Sequence, residues 1–328
     1  MLFDALVVEE LDDDSFAMHV RKKEVKDLPE GDVLIRVRYS SLNYKDALSA
    51  TGNRGVTKRY PHTPGIDAAG EVVASDDSRF SPGEQVIVSG YDLGMNTAGG
   101  FEQYIRVPGD WVVKLPESLT PLDSMILGTA GFTAGLCVEK IMAQVRPEDG
   151  EVVVTGATGG VGSLATVLLA QAGYEVVAVT GKRHGARFLK NLGAKRVVGR
   201  EDIDDGSGKP LVKGMWAGGV DTVGGEILAA VLRATTMYGA VTCCGNVLSS
   251  DLHMSLFPFI LRGVSLLGIS AQNTPMKKRK EIWQMLADTL KPRNLQALYE
   301  VVSLDGLELA IQRILRGEIK GRVVVDLR

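Results

Sequence analysis

Hydrophobic and polar positions divide the chain into two textures. Through the first third, alternating or apolar runs at 5–8, 33–40, 70–74, 85–88 and 104–107 are separated by Gly, Pro and Asp clusters. Short strands with frequent turns predict a partly closed, β-rich barrel. From about Pro121, long helix-compatible segments alternate with short buried strands at 151–155, 175–180, 196–198, 219–221, 240–243 and 265–269. That alternation predicts an α/β lobe with a doubly wound parallel sheet. Residues 277–290 read as a helix ending before Pro292, and a helix at 304–316 with a strand at 321–326 returns to the mixture of the opening lobe. The second lobe is therefore expected as an insertion, with one domain from residues 1–124 and 271–328 and the other from 125–270. There is no internal repeat or low-complexity tract.

Composition narrows the partners. The 328 residues, 45% hydrophobic and 23% charged, suffice for two cores. A formal net charge of −3 gives no bulk attraction to nucleic acid or an anionic membrane, so an anionic ligand must be caught by local cations or backbone amides. The expected partner is a small molecule. Met1-Leu2-Phe3-Asp4 carries no basic region before an apolar core, and no stretch approaches 18 uninterrupted apolar residues. The expected location is the cytoplasm. Three cysteines, Cys137, Cys243 and Cys244, and four scattered histidines give no disulfide framework.

The most informative segment is Glu151-Val-Val-Val-Thr-Gly-Ala-Thr-Gly-Gly-Val-Gly-Ser163, a buried strand running into a Gly-rich turn and then an apolar helix at 164–172. Ala157, Gly159 and Gly162 occupy the three positions of a dinucleotide fingerprint, so the amides of Thr158, Gly160 and Val161 can approach a pyrophosphate. The plainer alternative is a tight strand–helix connection without a ligand. About 20 residues on, where an NAD-specific fold usually places an acid for the ribose 2′-hydroxyl, the chain reads Val179-Thr180-Gly181-Lys182-Arg183. Two cations stand where a 2′-phosphate would lie, with Thr180 and the Gly181 amide able to donate hydrogen bonds, which predicts NADPH as cofactor. Arg200, after the third strand, either covers the adenine or is an ordinary surface arginine.

Four segments together resemble the medium-chain dehydrogenase/reductase superfamily: Asn43-Tyr44-Lys45-Asp46, the run from Pro64 to Val72, the run from Gly128 to Ala134, and the phosphate loop. More narrowly, the runs 41–47, 216–223 and 258–263 resemble the acrylyl-CoA reductase branch, whose members are often labelled quinone oxidoreductases. The resemblance implies a GroES-like catalytic domain, a Rossmann domain, a cleft between them and a homodimer. Zinc members of the superfamily use Cys and His within two of these segments and a four-cysteine structural lobe. This chain has Asn43 and Pro64-Gly65-Ile66-Asp67 there, and its three cysteines assemble neither site. No zinc is expected, and with it no alcohol dehydrogenation through a metal-bound alkoxide.

Without a metal, hydride can add to the β-carbon of an α,β-unsaturated thioester or ketone if the protein holds the carbonyl oxygen and supplies a proton. Tyr44 is the candidate for either task, or else a core tyrosine with a satisfied hydroxyl; Asn43 and Asp46 are further catalytic candidates, or hold the turn. The resemblance places Thr133 at the nicotinamide and Asn246 beside its ribose, and carries over Ser270 and Arg322 as cofactor contacts or else structural residues. Cys244 reads as a buried small hydrophobe. Arg54, Lys58 and Arg59, in the loop after the Tyr44 turn, are candidates for the phosphates of coenzyme A, or else a solvated charged face. The expected reaction is acrylyl-CoA to propionyl-CoA. The alternatives are a quinone or alkenal reductase and, in another class, an NADPH-binding sensor or nucleic-acid-binding protein without turnover, which the acidic balance disfavours.

Overall fold

The computed structural model describes every residue except Arg183, His184 and Asp205. It is an α/β protein of two compact units: Met1–Thr129 with Gln272–Ala287 and Leu295–Arg328, and Ala130–Ala271 with Asp288–Asn294. The chain first passes between them at Thr129/Ala130, a few residues after the expected 124/125.

The first unit is the GroES-like one. A hairpin of β1 (Leu2–Glu10) and β2 (Phe16–Glu24) precedes β3 (Val33–Leu42), α1 (Tyr44–Ala50), β4 (Asp67–Ser75), β5 (Gln85–Ser89), β6 (Tyr104–Val107) and β7 (Val112–Lys114). Along β3 the Val33, Ile35 and Val37 side chains enter the core while Leu34, Arg36 and Arg38 are partly exposed, the period-2 pattern of a one-sided strand. The β2 strand is absent from the sequence expectation because Arg21-Lys22-Lys23-Glu24 carries almost no apolar signal. It forms instead by pairing with β1 beside the turn closed by Leu11 N and Ser15 O, and Asp4 lies opposite Lys22, their charged ends 2.8 Å apart.

The helix α2 (Pro121–Met142) continues into the second unit and is broken at Gly128, where φ is +52°. Among the described residues it alone is long and apolar enough to cross a membrane, and most of it is buried in the fold. Then follow β8 (Val152–Val154), α3 (Gly160–Gln171), β9 (Val176–Val179), α4 (Ala186–Asn191), β10 (Arg196–Val198), β11 (Trp216–Asp221), α5 (Gly225–Arg233), β12 (Thr235–Cys243), α6 (Phe257–Arg262) and β13 (Ser265–Gly268). The six strands form a parallel sheet in the order β10-β9-β8-β11-β12-β13. This is the doubly wound order, in which ligands bind at the carboxyl ends of the strands where the winding reverses. β8 and β11 straddle that reversal.

The tail returns to the first unit. α7 (Met276–Ala287), β14 (Tyr299–Val302), α8 (Leu307–Leu315) and β15 (Arg322–Asp326) complete its main sheet, of order β14-β15-β3-β4-β5-β7 with β6 beside β3. The β15 strand thereby places Arg322 against the end of β3, since Val323 pairs with Leu42.

One buried charge ties the hairpin down. Glu102 is fully buried with Lys23 Nζ at 2.6 Å from Oε2, and Oε1 has no hydrogen-bond partner among the described residues. Burial pushes its carboxyl up to about 7, against the opposing charge of Lys23. A carboxyl raised in the folded state favours folding most when protonated, so this contribution is full below the unfolded value near 4.5 and is lost as pH rises through 7. Glu102→Gln should therefore flatten the rise in melting temperature on acidifying from pH 8 to pH 5; an unchanged slope in thermal melts would count against this account.

Candidate active site

In the first unit the site grows from Asp67, the first residue of β4. Its carboxylate is fully buried. Oδ2 accepts from Ser41 Oγ (2.6 Å), Asn43 Nδ2 (2.8 Å) and Thr129 N (2.9 Å), and Oδ1 accepts from Thr129 Oγ1 (2.7 Å). The Arg322 guanidinium lies 3.9 Å away. It donates to Ser41 Oγ, Asn43 Oδ1, Leu42 O and Ile126 O, and is itself buried. A buried guanidinium with these donors spent on protein oxygens is part of the network itself, which fits the structural alternative for Arg322.

Asn43 and Asp46 belong to the same network. Asn43 caps α1, and Asp46 Oδ2 accepts from the Asn43 amide at 2.7 Å in a capping box. The other oxygen, Oδ1, accepts from Ile66 N at 2.8 Å. Burial pushes the Asp46 carboxyl up to about 7, Asp67 adding to the rise and the hydrogen bonds opposing it. Asp46 is completely enclosed, so it positions the turn rather than touching an acceptor. Tyr44, by contrast, begins the helix with 44% of its surface exposed, a tyrosine presented rather than packed. Sequence reasoning singled out Tyr44 and missed Ser41, Asp67 and Thr129. All three lie within segments it quoted, but a polar residue among small and apolar neighbours carries no mark of burial.

In the loop beyond α1, Arg54 pairs with Glu10 and lies over the Phe16 and Tyr60 rings at 5.8 and 5.2 Å. Its guanidinium is paired with the protein's own hairpin while the side chain stays half-exposed. Lys58 and Arg59 are exposed.

In the second unit the carboxyl ends of four strands gather the nucleotide candidates. The tight turn after β8 is made by Gly156, at φ +58°, which the sequence reading passed over in favour of Ala157. A Cβ there would meet Thr222 Oγ1 at 2.3 Å. Gly162 is also demanded by packing, since its Cβ would fall 2.4 Å from Gly156 O. Gly159 differs: a Cβ would meet only Gly156 O at 3.3 Å. That position leaves a cradle in front of Gly160 and Val161 at the first turn of α3, where unpaired amides favour an anion.

Thr158 Oγ1 lies 3.2 Å from Thr180 Oγ1, joining the loop to the end of β9, and Thr180 Oγ1 accepts from the Lys182 amide at 3.0 Å. Arg200 lies over Gly181, whose Cβ would meet Arg200 Nε at 3.1 Å. The expected cation Arg183 lies outside the described residues. A second buried carboxylate organises the turn beyond β11: Asp221 accepts from Thr155 Oγ1 (2.7 Å) and Gly224 N (2.8 Å), and burial raises its pKa against those bonds. Asn246 is exposed and its Cα approaches Gly224; Ser270 follows β13 and is exposed; Thr133 is buried in α2. The Cys244 thiol is pushed well up by its contact with Cys137 and by burial, which suits the reading as a small hydrophobe.

Comparison with known proteins agrees with this architecture. Residues 29–117 match the alcohol dehydrogenase GroES-like domain and residues 160–289 the zinc-binding dehydrogenase family. The chain belongs to the medium-chain dehydrogenase/reductase superfamily and is an oxidoreductase. Within it, the chain falls in the branch of the acrylyl-CoA reductases and their quinone-oxidoreductase-named kin. The Bacillus subtilis protein YhfP, which carries a quinone oxidoreductase name, is 45% identical over 99% of both chains. The acrylyl-CoA reductase AcuI of Ruegeria pomeroyi is 42% identical, again over 99% of both. Of solved structures, YhfP with NAD bound superposes with a TM-score of 0.97 at 45% identity, and Salmonella enterica YhdH in complex with NADP with 0.96 at 41%, each covering 100% of both chains.

The Asp67 network makes a direct prediction. A Cβ on Gly128 would lie 2.5 Å from Ser41 Oγ, 2.6 Å from Asp67 Oδ2 and 2.8 Å from Arg322 Nη2, at a positive φ. Gly128→Ala should destabilise the protein by about 1–3 kcal/mol, through overpacking against groups that cannot yield. Urea denaturation measures this, and unchanged stability would show that the network gives way.

Proposed function

We propose that the chain is a zinc-free, NADPH-dependent reductase of acrylyl-CoA, forming propionyl-CoA. The observation that carries this reading is the likeness to AcuI across 99% of both chains. The relatives differ in nucleotide, NADP in YhdH and NAD in YhfP, so the choice for this chain rests on its own residues. The turn Thr180–Lys182 offers hydroxyl, amide and cation without an acid, which fits a 2′-phosphate. The Gly159 cradle and the first amides of α3 fit a pyrophosphate, with Arg200 over the adenine side. Thr133, Asn246 and Ser270 serve the nicotinamide riboside.

When bound, NADPH supplies the hydride that adds to the β-carbon of the acceptor. Tyr44 supplies the proton or a hydrogen bond to the carbonyl; Asn43 and Asp46 set its position. Lys58 and Arg59 receive the phosphates of coenzyme A. Zinc does not suit the residues present. Where a metal would need ligands, Asn43 and Asp67 are engaged with each other and with the Arg322 guanidinium, which already supplies the positive charge. The second reading, a quinone reductase, is favoured by the higher identity to YhfP.

The proposed homodimer has a surface that suits it. β13 is the last strand of the parallel sheet. Beside it in sequence, Leu256, Phe257, Ile260 and Leu261 on and before α6 are exposed at 69, 44, 68 and 57%. An open strand edge next to an apolar helix fits a second copy of itself about a two-fold axis.

Loss of NADPH absorbance on adding acrylyl-CoA or a simple quinone tests the function. The expected kcat/KM is higher for acrylyl-CoA and lower with NADH, and Lys58→Ala/Arg59→Ala should raise KM for acrylyl-CoA alone. A preference for the quinone would favour the second reading, and no turnover at all would sink both. For the assembly, Ile260→Asp/Leu261→Asp should convert a dimer to a monomer in light scattering; a dimer that persists would remove this surface from consideration.

A further inference from the structure

Lys45 stands between Tyr44 and Asp46 in the first turn of α1. Its Nζ donates to Gln272 Oε1 at 2.8 Å and lies 3.9 Å from Met95 Sδ. Gln272 is held in that orientation: Nε2 donates to Met95 Sδ at 3.3 Å, and the carbonyl accepts from Tyr91 N at 2.9 Å and Arg279 Nη2 at 3.1 Å. The amide oxygen is thereby left facing Lys45.

The half-buried ammonium thus rests on two neutral groups. The charged side chains around it are engaged elsewhere. Asp46, on its own helix, accepts from the Asn43 and Ile66 amides. Asp92, in the loop that carries Met95, accepts from Asn96 and Thr97. Arg279, on α7, donates to Ser89 and Gln272 and covers the Tyr91 ring at 4.5 Å. An ammonium has three donors, and the amide oxygen and a weak sulfur acceptor leave at least one without a partner among the described residues. Burying a cation against neutral groups is costly, and here burial lowers the Lys45 pKa, with only Asp46 opposing. A fixed donor without a counter-ion is what a developing negative charge requires.

We propose that Lys45 Nζ is a catalytic residue that holds the carbonyl oxygen of the conjugated acceptor as negative charge develops on it. The inference rests on the reading of the protein as a reductase of activated double bonds. As hydride bonds to the β-carbon, the electrons of the carbon–carbon π bond move between the α-carbon and the carbonyl carbon, and the carbonyl π pair moves onto oxygen. Lys45 donates a hydrogen bond there and keeps its proton. A proton from the Tyr44 hydroxyl, replaced from solvent, bonds to the α-carbon, and the carbonyl re-forms.

Full-length Lys45→Met and Lys45→Arg test this with saturating NADPH. In Lys45→Met, kcat should fall about 10²-fold on acrylyl-CoA, with KM for NADPH and melting temperature retained. Wild-type kcat should decline on the alkaline side below the ordinary lysine range. That limb should move to higher pH in Lys45→Arg, which keeps the charge and most of the turnover. Wild-type kcat in Lys45→Met, or the same alkaline limb in Lys45→Arg, overturns the proposal. A readout independent of turnover is the NMR resonance of Lys45 in protein carrying 13C-methylated lysines, assigned by its absence in Lys45→Met. Propionyl-CoA with NADP+ should shift it, and a resonance that does not move overturns the proposal. A wild type that reduces no acceptor sinks the reductase reading instead, and the resonance then decides the fate of Lys45 on its own.

Discussion

The fully buried carboxylate of Asp67 sets the terms for everything around it in the GroES-like unit. A charge in that position costs several kcal/mol unless it is paired and every lone pair is met. Arg322 brings the countercharge, and Ser41, Asn43 and Thr129 bring the donors. Those partners come from the end of β3, the cap of α1, the break in α2 and the start of β15. One electrostatic requirement thus fixes four pieces of chain distant in sequence. Asp46 responds to it as well: Asp67 helps keep its carboxyl raised while the capping box holds α1. Tyr44 and Lys45 are the residues that this rigid frame turns outward from the core.

The Rossmann unit solves a similar problem with fewer charges. Asp221 is buried at the end of β11 and is met by a threonine hydroxyl and two backbone amides, with no cation paired to it among the described residues. Around it, close backbone approach does most of the positioning. Gly156, Gly162 and Gly245 each sit where a Cβ would collide with backbone or with Thr222, whereas Gly159 is glycine although the protein's own atoms nearly admit a side chain. The difference separates glycines that the protein's own packing requires from one that it does not. In the GroES-like unit the same kind of buried carboxylate is instead met by a guanidinium.

The residue pattern by itself determined the fold class, the inserted second lobe and the phosphate loop. Strands such as 152–154 and the helix after Gly159 are specified by local hydrophobicity and glycine spacing, and neither depends on distant partners. It also determined the acid-free turn at Thr180–Lys182, because that signal is the identity of neighbouring residues. The short strands β7 and β14 and the charged β2 were not legible, since each exists only by pairing with a neighbour.

What the tertiary structure alone decided is which polar residues face the core and which face outward. Asn43, Asp46 and Arg322 look in sequence like parts of a reacting site, yet folding encloses them and commits their donors and acceptors to one another. Arg54 looks free and is held by Glu10 and two aromatic rings. Lys45 looks like any charged residue of a helix, and only Gln272, 227 positions away, shows that its ammonium is half-buried against a neutral partner. Hydrogen bonding between groups so far apart leaves no periodicity or spacing in the chain. It is set by where β15 and the segment after β13 are brought.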